Sequence, residues 1–333
     1  MAILTTAERR LCGGYLRLRR DRRPCILGTV AIWRIGQVEV NMVVVTPEDF
    51  KKLVIIALFS EPSLKQALVL KGGNLLDVVY GISTRPSKDI DLSMCGEFQN
   101  PEETRCTIER VLQSTFSGHG YVVFDVTLTE QPPTLTENMR DFWGGYRVYF
   151  KAVEREQCDS LGDDREAIRK RATPLRAGGS TKFPIEISKY EYCDGKEERL
   201  LDGCAIYVYT PAMLVCEKLR AICQQMPEYA EVIRRTGRPR GRDFLDIYTV
   251  AEFFRLDFAA STFHDVARCI FEVKRVPLRL LGLICTPDVM EFHRSDFISV
   301  VDTVRPDAEV QSYEFYYDYV VTKCRSLEPL WHK

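Results

Sequence analysis

The most informative stretch of this sequence is the tetrapeptide Asp89-Ile90-Asp91-Leu92. Side chains alternate faces along a strand, so residues two apart point the same way. As a strand, this stretch turns Ile90 and Leu92 into a core and leaves both carboxylates side by side on the other face. Two such carboxylates repel each other unless a cation lies between them. Mg²⁺ suits the position, because it takes carboxylate oxygens at about 2.0–2.1 Å and keeps sites for phosphate and water; Mn²⁺ is the other candidate. By itself an Asp-x-Asp pair also occurs by chance in surface loops, so the flanking residues have to support the strand and metal reading.

The surrounding sequence alternates strand-like and helix-like runs. Residues 47–60 read as a helix with acidic residues in its first turn. Gln66 to Leu70 reads as a short buried strand that ends at Lys71-Gly72-Gly73, and Asn74 to Tyr80 as a helix. Asp89 to Met94 is a strand, 101–115 a helix, and Tyr121–Leu128, Tyr146–Val153 and Phe183–Ser188 are further strands. Residues 157–181 are polar and read as a long surface excursion. From Pro211 onward helices are expected at 211–225, 243–255, 262–273, 295–303 and 307–325. Val310, Tyr313, Tyr317, Val320 and Cys324 recur at helical spacing in the last of these, a stripe that belongs to a core.

With 333 residues the chain is long enough for two domains. The expected division is a basic extension at 1–41, an α/β domain at 42–209 and a helical domain at 210–333. In residues 1–34 eight arginines face only Glu8 and Asp21, so this arm is either an RNA contact or a solvated extension. The formal net charge of the whole is −1, so attraction of a polyanion has to come from a local patch. Twelve cysteines are scattered without a CxxC pair, which speaks against a zinc site and a secreted disulfide scaffold and for reduced thiols in a cytoplasm. No secretion signal or bilayer-spanning apolar run is visible, and no membrane role is expected.

Several residues surround the paired aspartates in the sequence. The Gly72-Gly73 turn either lets a phosphate approach the backbone or simply makes a tight strand-to-helix turn. Arg85 and Ser87 precede Asp89; Arg85 pairs with phosphate, with an aspartate, or only with water. Glu186, in a strand-like apolar run, is either a third metal-binding carboxylate of a two-metal site or an edge residue facing water. Lys218 shares a helix face with Leu214, Leu219 and Ile222 and needs a partner, either a bound triphosphate or an acid such as Asp243 or Asp246. The run 234–242 holds five arginines; Arg235, Arg238 and Arg240 read as contacts for an RNA backbone or as a solvated loop.

Taken in order, Lys71-Gly72-Gly73-Asn74-Leu75, Arg85-x-Ser87-x-Asp89-Ile90-Asp91-Leu92, Glu217-Lys218-Leu219-Arg220-Ala221 and Arg242-Asp243-Phe244-Leu245-Asp246 resemble the AbiEii/AbiGii toxin family, within the polymerase-beta-like nucleotidyltransferases. The resemblance covers about residues 45–255 and implies an α+β fold, a mixed-sheet nucleotidyltransferase domain followed by helices. It places the metal on Asp89 and Asp91, phosphate on the Gly72-Gly73 turn, the family's lysine on Lys218 and the later acid on Asp243 or Asp246. With the residue reading above, the expected catalytic set is Asp89, Asp91, Glu186, Lys218, Asp243 and Asp246, the expected metal ligands Asp89, Asp91 and Glu186, and the expected nucleotide contacts Lys71, Gly72, Gly73, Arg85, Ser87 and Lys218. A nucleoside triphosphate is the implied donor and RNA, at the tRNA acceptor end in several members, the implied acceptor. An antitoxin partner and a part in phage defence follow from the same resemblance. One departure stands out: the superfamily serine after the first glycine is Gly73 in this chain. A protein acceptor, or a catalytically silent nucleotide- or RNA-binding subunit, is the competing expectation.

Overall fold

A computed structural model describes residues 29–35, 38–44, 46–85, 87, 89–174, 179–234, 236–306 and 308–331. The chain divides into two compact units at Asp49/Phe50. In the first, β1 (Thr29–Ile35) and β2 (Val38–Val44) form an antiparallel hairpin that was not anticipated. The arginines at positions 9–23 lie outside the described residues, as does Arg235.

The second unit is built on a seven-stranded mixed sheet. In chain order its elements are α1 (Pro47–Ser60, which belongs to this unit from Phe50 on), α2 (Pro62–Ala67), β3 (Val69–Lys71), a helical turn over residues 72–79, β4 (Ile90–Ser93) and α3 (Pro101–Ser117). There follow β5 (Tyr121–Gln131), β6 (Gly145–Glu154), α4 (Arg155–Leu161), α5 (Arg165–Lys170), β7 (Phe183–Ser188), β8 (Glu197–Leu201) and β9 (Cys204–Val208). The sheet order is β5-β6-β7-β4-β3-β9-β8; β4 runs parallel to β7 and β3 parallel to β9, while the other neighbours are antiparallel.

Burial alternates along the central strands. Ile90 and Leu92 of β4, Phe183, Ile185 and Ile187 of β7, and Val148, Phe150 and Ala152 of β6 are buried. They meet α1 and α3: Phe50 stacks on Phe183 at 5.0 Å and meets Phe116 edge-on at 5.3 Å. Burying each such side chain contributes roughly 1.5–3 kcal/mol. This covered face leaves the other one, with Asp91, Glu186 and Arg147, available for ligands.

Helices take over from Pro211: α6 (Pro211–Cys223), α7 (Gly241–Phe254), α8 (Ser261–Glu272), α9 (Pro287–Arg294), α10 (Phe297–Val301), α11 (Tyr313–Arg325) and α12 (Glu328–Trp331). α6 packs against α7 and α8, and α11 against α7. Tyr313, Tyr317, Val320 and Cys324 are buried, with Tyr313 edge-on to Phe244 at 5.4 Å, so the aromatic stripe is core. No helix among the described residues is long and apolar enough to cross a membrane.

Several local expectations need correction. Gln66 and Ala67 finish α2 instead of opening a strand, because Pro62 at the first helical turn starts a helix there. The 157–181 excursion holds two short helices, the second capped by Asp164, which accepts from the Ala167 N–H at 3.0 Å. The last long helix begins at Tyr313, where Ser312 accepts from the Phe315 N–H, and Val310 lies outside it.

Candidate active site

At the end of β3 the backbone turns through Gly72, whose φ is +68°, a left-handed value that suits glycine. A Cβ on Gly72 would lie 2.4 Å from Asp91 Oδ2, and one on Gly73 would lie 2.8 Å from Ser87 Oγ. Both glycines are therefore needed for close approach: the first lets the Asp91 carboxylate rest on the turn, the second makes room for the Ser87 hydroxyl. Asn74, fully buried, donates from its amide nitrogen to the Asp89 carbonyl and so ties the turn to the loop that carries the first aspartate. Ser87 donates to the same carbonyl at 3.3 Å.

Strand register brings the charged residues into one row. Lys71 of β3 is opposite Asp91, Asp91 opposite Glu186 of β7, and Glu186 opposite Arg147 of β6. Directly paired residues share a sheet face. Burial raises the Asp91 carboxyl to about 6; Lys71 opposes that rise, while Glu186, Glu217 and Asp89 add to it. The buried Lys71 ammonium reaches Ser188 Oγ at 3.1 Å, Glu191 at 3.6 Å and Glu217 at 3.7 Å. Glu186 faces the open side of the sheet and is ion-paired to Arg147. Among the described residues no group of three or more acidic, histidine or cysteine side chains forms a ready metal cage.

The second group sits in the helical half. Lys218, 6% exposed, contacts Asp246 at 2.7 Å and Asp243 at 3.3 Å. Arg85 reaches Asp246 at 3.2 Å, and Arg240 pairs with Asp243. The result is an alternating chain, Arg85–Asp246–Lys218–Asp243–Arg240, and the acid-partner reading of Lys218 is the one seen. Burial opposes ionisation of Lys218, Asp243 and Asp246, yet Arg240 and Lys218 hold Asp243, and Lys218 and Arg85 hold Asp246, below the usual carboxylate range; the Lys218 ammonium is raised in turn by Asp246 and Asp243. Arg240 also donates its backbone N–H to His293 Nδ1 at 2.9 Å. That ring is pushed down to about 4 by burial and stays neutral as an acceptor. Arg240 is thus built into the helical core, whereas Arg238 is exposed and docks through its N–H on Gln225 Oε1 at 3.0 Å.

Sequence reasoning missed a third cluster. Glu191, just past β7, is buried and takes Arg220 of α6 at 2.7 and 3.3 Å, Lys71 at 3.6 Å and Lys274, just past α8, at 3.6 Å. The available signal was an isolated acid between aromatics, Tyr190-Glu191-Tyr192, next to a strand.

All three groups line one cavity of about 1120 Å³. Lys71, Gly72, Gly73, Arg85, Ser87, Asp89 and Asp91 form one side, Lys218, Asp243, Arg238 and Arg240 another, and Trp143, Arg147, Glu186 and Lys274 a third. Asp246 supports Lys218 from behind this wall.

Paired aspartates beside a glycine turn on a mixed sheet, roofed by helices that contribute a buried lysine, make up the layout of a nucleotidyltransferase. The chain belongs to the AbiEii nucleotidyltransferase toxin family: the family described as "Nucleotidyl transferase AbiEii toxin, Type IV TA system" matches residues 55–317. Among solved structures, JHP933 from Helicobacter pylori is similar at 14% identity over 85% of this chain and 91% of that one, with a TM-score of 0.43. An antigenic nucleotidyltransferase-like protein from Paracoccidioides brasiliensis is similar at 15% identity over 68% and 89%, with a TM-score of 0.34. No curated protein matches.

Proposed function

We propose that this nucleotidyltransferase moves a nucleoside monophosphate from a nucleoside triphosphate onto an RNA hydroxyl, in the cytoplasm, as the toxin of a toxin–antitoxin pair with a role in phage defence. The observation that carries the reading is the row Lys71–Asp91–Glu186 beside a turn whose glycines are required by Asp91 and Ser87.

The turn offers backbone N–H groups and the Ser87 hydroxyl to the triphosphate. Ser87 Oγ lies where a side chain at position 73 would point, so it stands in for the serine that Gly73 lacks. Arg85, reaching in from the same loop, adds positive charge. Lys218 is already shared by two acids and reaches a triphosphate only by yielding its longer contact, to Asp243. The acceptor oxygen attacks the α-phosphorus, its proton passes to a carboxylate of the site, with Asp91 and Glu186 the candidates, and pyrophosphate leaves in line.

Asp89 and Asp91 are the residues that would hold Mg²⁺ or Mn²⁺, with Glu186 adjacent. The donor set fits: Asp91 is half-buried beside Lys71, with Glu186, Glu217 and Asp89 adding negative charge that a cation would relieve, and Mg²⁺ uses one or two carboxylates and completes its shell with phosphates. When bound, the ion supplies neutralisation of the charge that develops on the phosphate oxygens. Arg238 and Arg242, both exposed and on the cavity wall, support contact with an RNA backbone, while Arg240 is committed to Asp243 and His293.

The test is incubation with each of four labelled triphosphates, total tRNA and cell lysate, followed by separation of RNA from protein. Label is expected in RNA, dependent on added Mg²⁺ and abolished by Asp89→Asn or Asp91→Asn. Label confined to protein replaces the RNA acceptor with a polypeptide hydroxyl. Normal activity in either folded variant removes the metal role.

A further inference from the structure

Resting on the RNA-acceptor reading, we infer that Trp143 is the platform on which the acceptor's terminal base stacks, on the β6–β7 side of the reacting phosphate. The argument starts from the strand order. Asp91 stands between Lys71 on β3 and Glu186 on β7, and the Gly72-Gly73 turn continues from β3. A phosphate carried by that turn and Ser87 puts the leaving pyrophosphate on the β3 side. In-line displacement requires the attacking oxygen on the opposite side, which is the direction of Glu186, then Arg147, then the segment that opens β6.

That direction holds an aromatic wall. Trp143, Arg147 and Lys274 line the cavity there. Trp143 is half-buried and precedes two glycines with specific jobs. Gly144 has φ +112°, and a Cβ on Gly145 would lie 2.3 Å from the Ile187 carbonyl oxygen, so the Gly-Gly pair seats the tryptophan tight against β7. The ring is braced. Phe142 meets it edge-on at 6.4 Å, and the Lys274 ammonium stands 5.5 Å from the ring centroid. Lys274 is fixed in turn by the carbonyls of Phe142 at 3.2 Å and Lys189 at 2.5 Å. A rigid indole beside two cations suits a terminal nucleotide, with its 3′ hydroxyl free and phosphate on its 5′ side: stacking accepts any base, and the cations attract that phosphate. The cavity volume of about 1120 Å³ exceeds the roughly 300–1,000 Å³ of pockets for one small ligand, which leaves room for donor and acceptor together.

The experiment compares the unmodified chain, Trp143→Phe and Trp143→Ala. The probe is a single-stranded RNA of about ten nucleotides with a free 3′ hydroxyl, within the span of one single-strand groove. RNA should quench emission in the unmodified chain by an amount missing from Trp143→Phe, and nucleoside triphosphate alone should not. Trp143→Ala should raise the KM for RNA by roughly five- to 150-fold, the range for one lost stacked base, while the KM for triphosphate and kcat at saturating RNA stay within about twofold. RNA labelling with an unchanged KM and no Trp143 quench overturns the platform and leaves the RNA reading intact. Quenching by triphosphate alone overturns it too, by moving the donor to this side. Label found only on protein sinks the RNA reading itself, and the platform with it. Circular dichroism of Trp143→Phe controls for folding, and the emission of the unmodified chain needs no variant to be informative.

Discussion

At Gly72 two demands coincide, a left-handed backbone and a carboxylate 2.4 Å from where a Cβ would sit. Gly72→Ala should therefore cost about 1–2 kcal/mol in backbone strain and displace Asp91 besides. Transfer activity is expected to fall at least about 100-fold, the scale of losing one placed electrostatic group, with only a modest change in melting temperature; activity close to that of the parent removes the close-approach argument. Position 73 is a sharper case. Gly73→Ser restores the residue usual in the superfamily, yet its Cβ would meet Ser87 Oγ at 2.8 Å. Alone it should impair triphosphate binding, and combined with Ser87→Gly it should recover most of it, because one hydroxyl then serves where one served before. Equal triphosphate affinities for the single and double variants would mean that the two positions do not share a hydroxyl site.

Elements carry the charge chain of the helical half. Lys218 on α6 holds Asp243 and Asp246 on α7, so Lys218→Met leaves two buried carboxylates with only Arg85 and Arg240. Breaking a buried pair by removing one partner costs about 3–5 kcal/mol, and thermal unfolding should report that loss as a lowered Tm whether or not nucleotide is present. An unchanged Tm would leave Lys218 with a role in binding alone. The pH sign follows from the same contacts. Both aspartates are held below their ordinary value, so their stabilisation is complete above pH ~4, the unfolded carboxylate value, and is lost as pH falls through the folded values. The parent's stability should drop on acidification through this window, and Lys218→Met should show a shallower drop.

The same scale shows how far the sequence could be read. β4, β7 and α7 were legible because apolar alternation and helical spacing survive in them, and each of the four motifs places charged or glycine residues on the cavity wall, with Asp246 backing Lys218. β8 was not legible: Glu197-Glu198-Arg199-Leu200-Leu201 is an edge strand whose exposed charges hide the alternation. Its turn, Asp202-Gly203 with φ of +48° and +85°, was the available hairpin signal. Glu186 was legible as a neighbour of the aspartates but not its Arg147 partner, since pairing across β6 and β7 depends on register, which no local pattern specifies.

On the scale of the whole second unit, the question is what holds the sheet to the helices around the cavity. Glu191 answers much of it: one buried carboxylate from the sheet side gathers Arg220 from α6, Lys274 from beyond α8 and Lys71 from the phosphate turn. Burial pushes Glu191 upward, but the three cations outweigh it and keep the carboxylate ionised; Lys274, crowded by burial and by Arg220 and Lys71, drops to about 8 despite Glu191. Removing the acid alone leaves three buried cations with Glu217 as the nearest counter-charge to two of them. Glu191→Gln should therefore lose about 3–5 kcal/mol and lower activity through a displaced Lys71. The double variant Glu191→Gln with Lys274→Met deletes one charge of each sign. It should regain most of the stability, because a buried pair replaced by neutral side chains of similar size is close to neutral. Activity should recover less than stability, since Lys71 would still lack the partner that aims it beside Asp91. Denaturant unfolding and steady-state kinetics on the same three proteins decide the matter. Parallel recovery of stability and activity would make Glu191 a fastener and nothing more, whereas stability without activity ties the junction to the chemistry of the sheet.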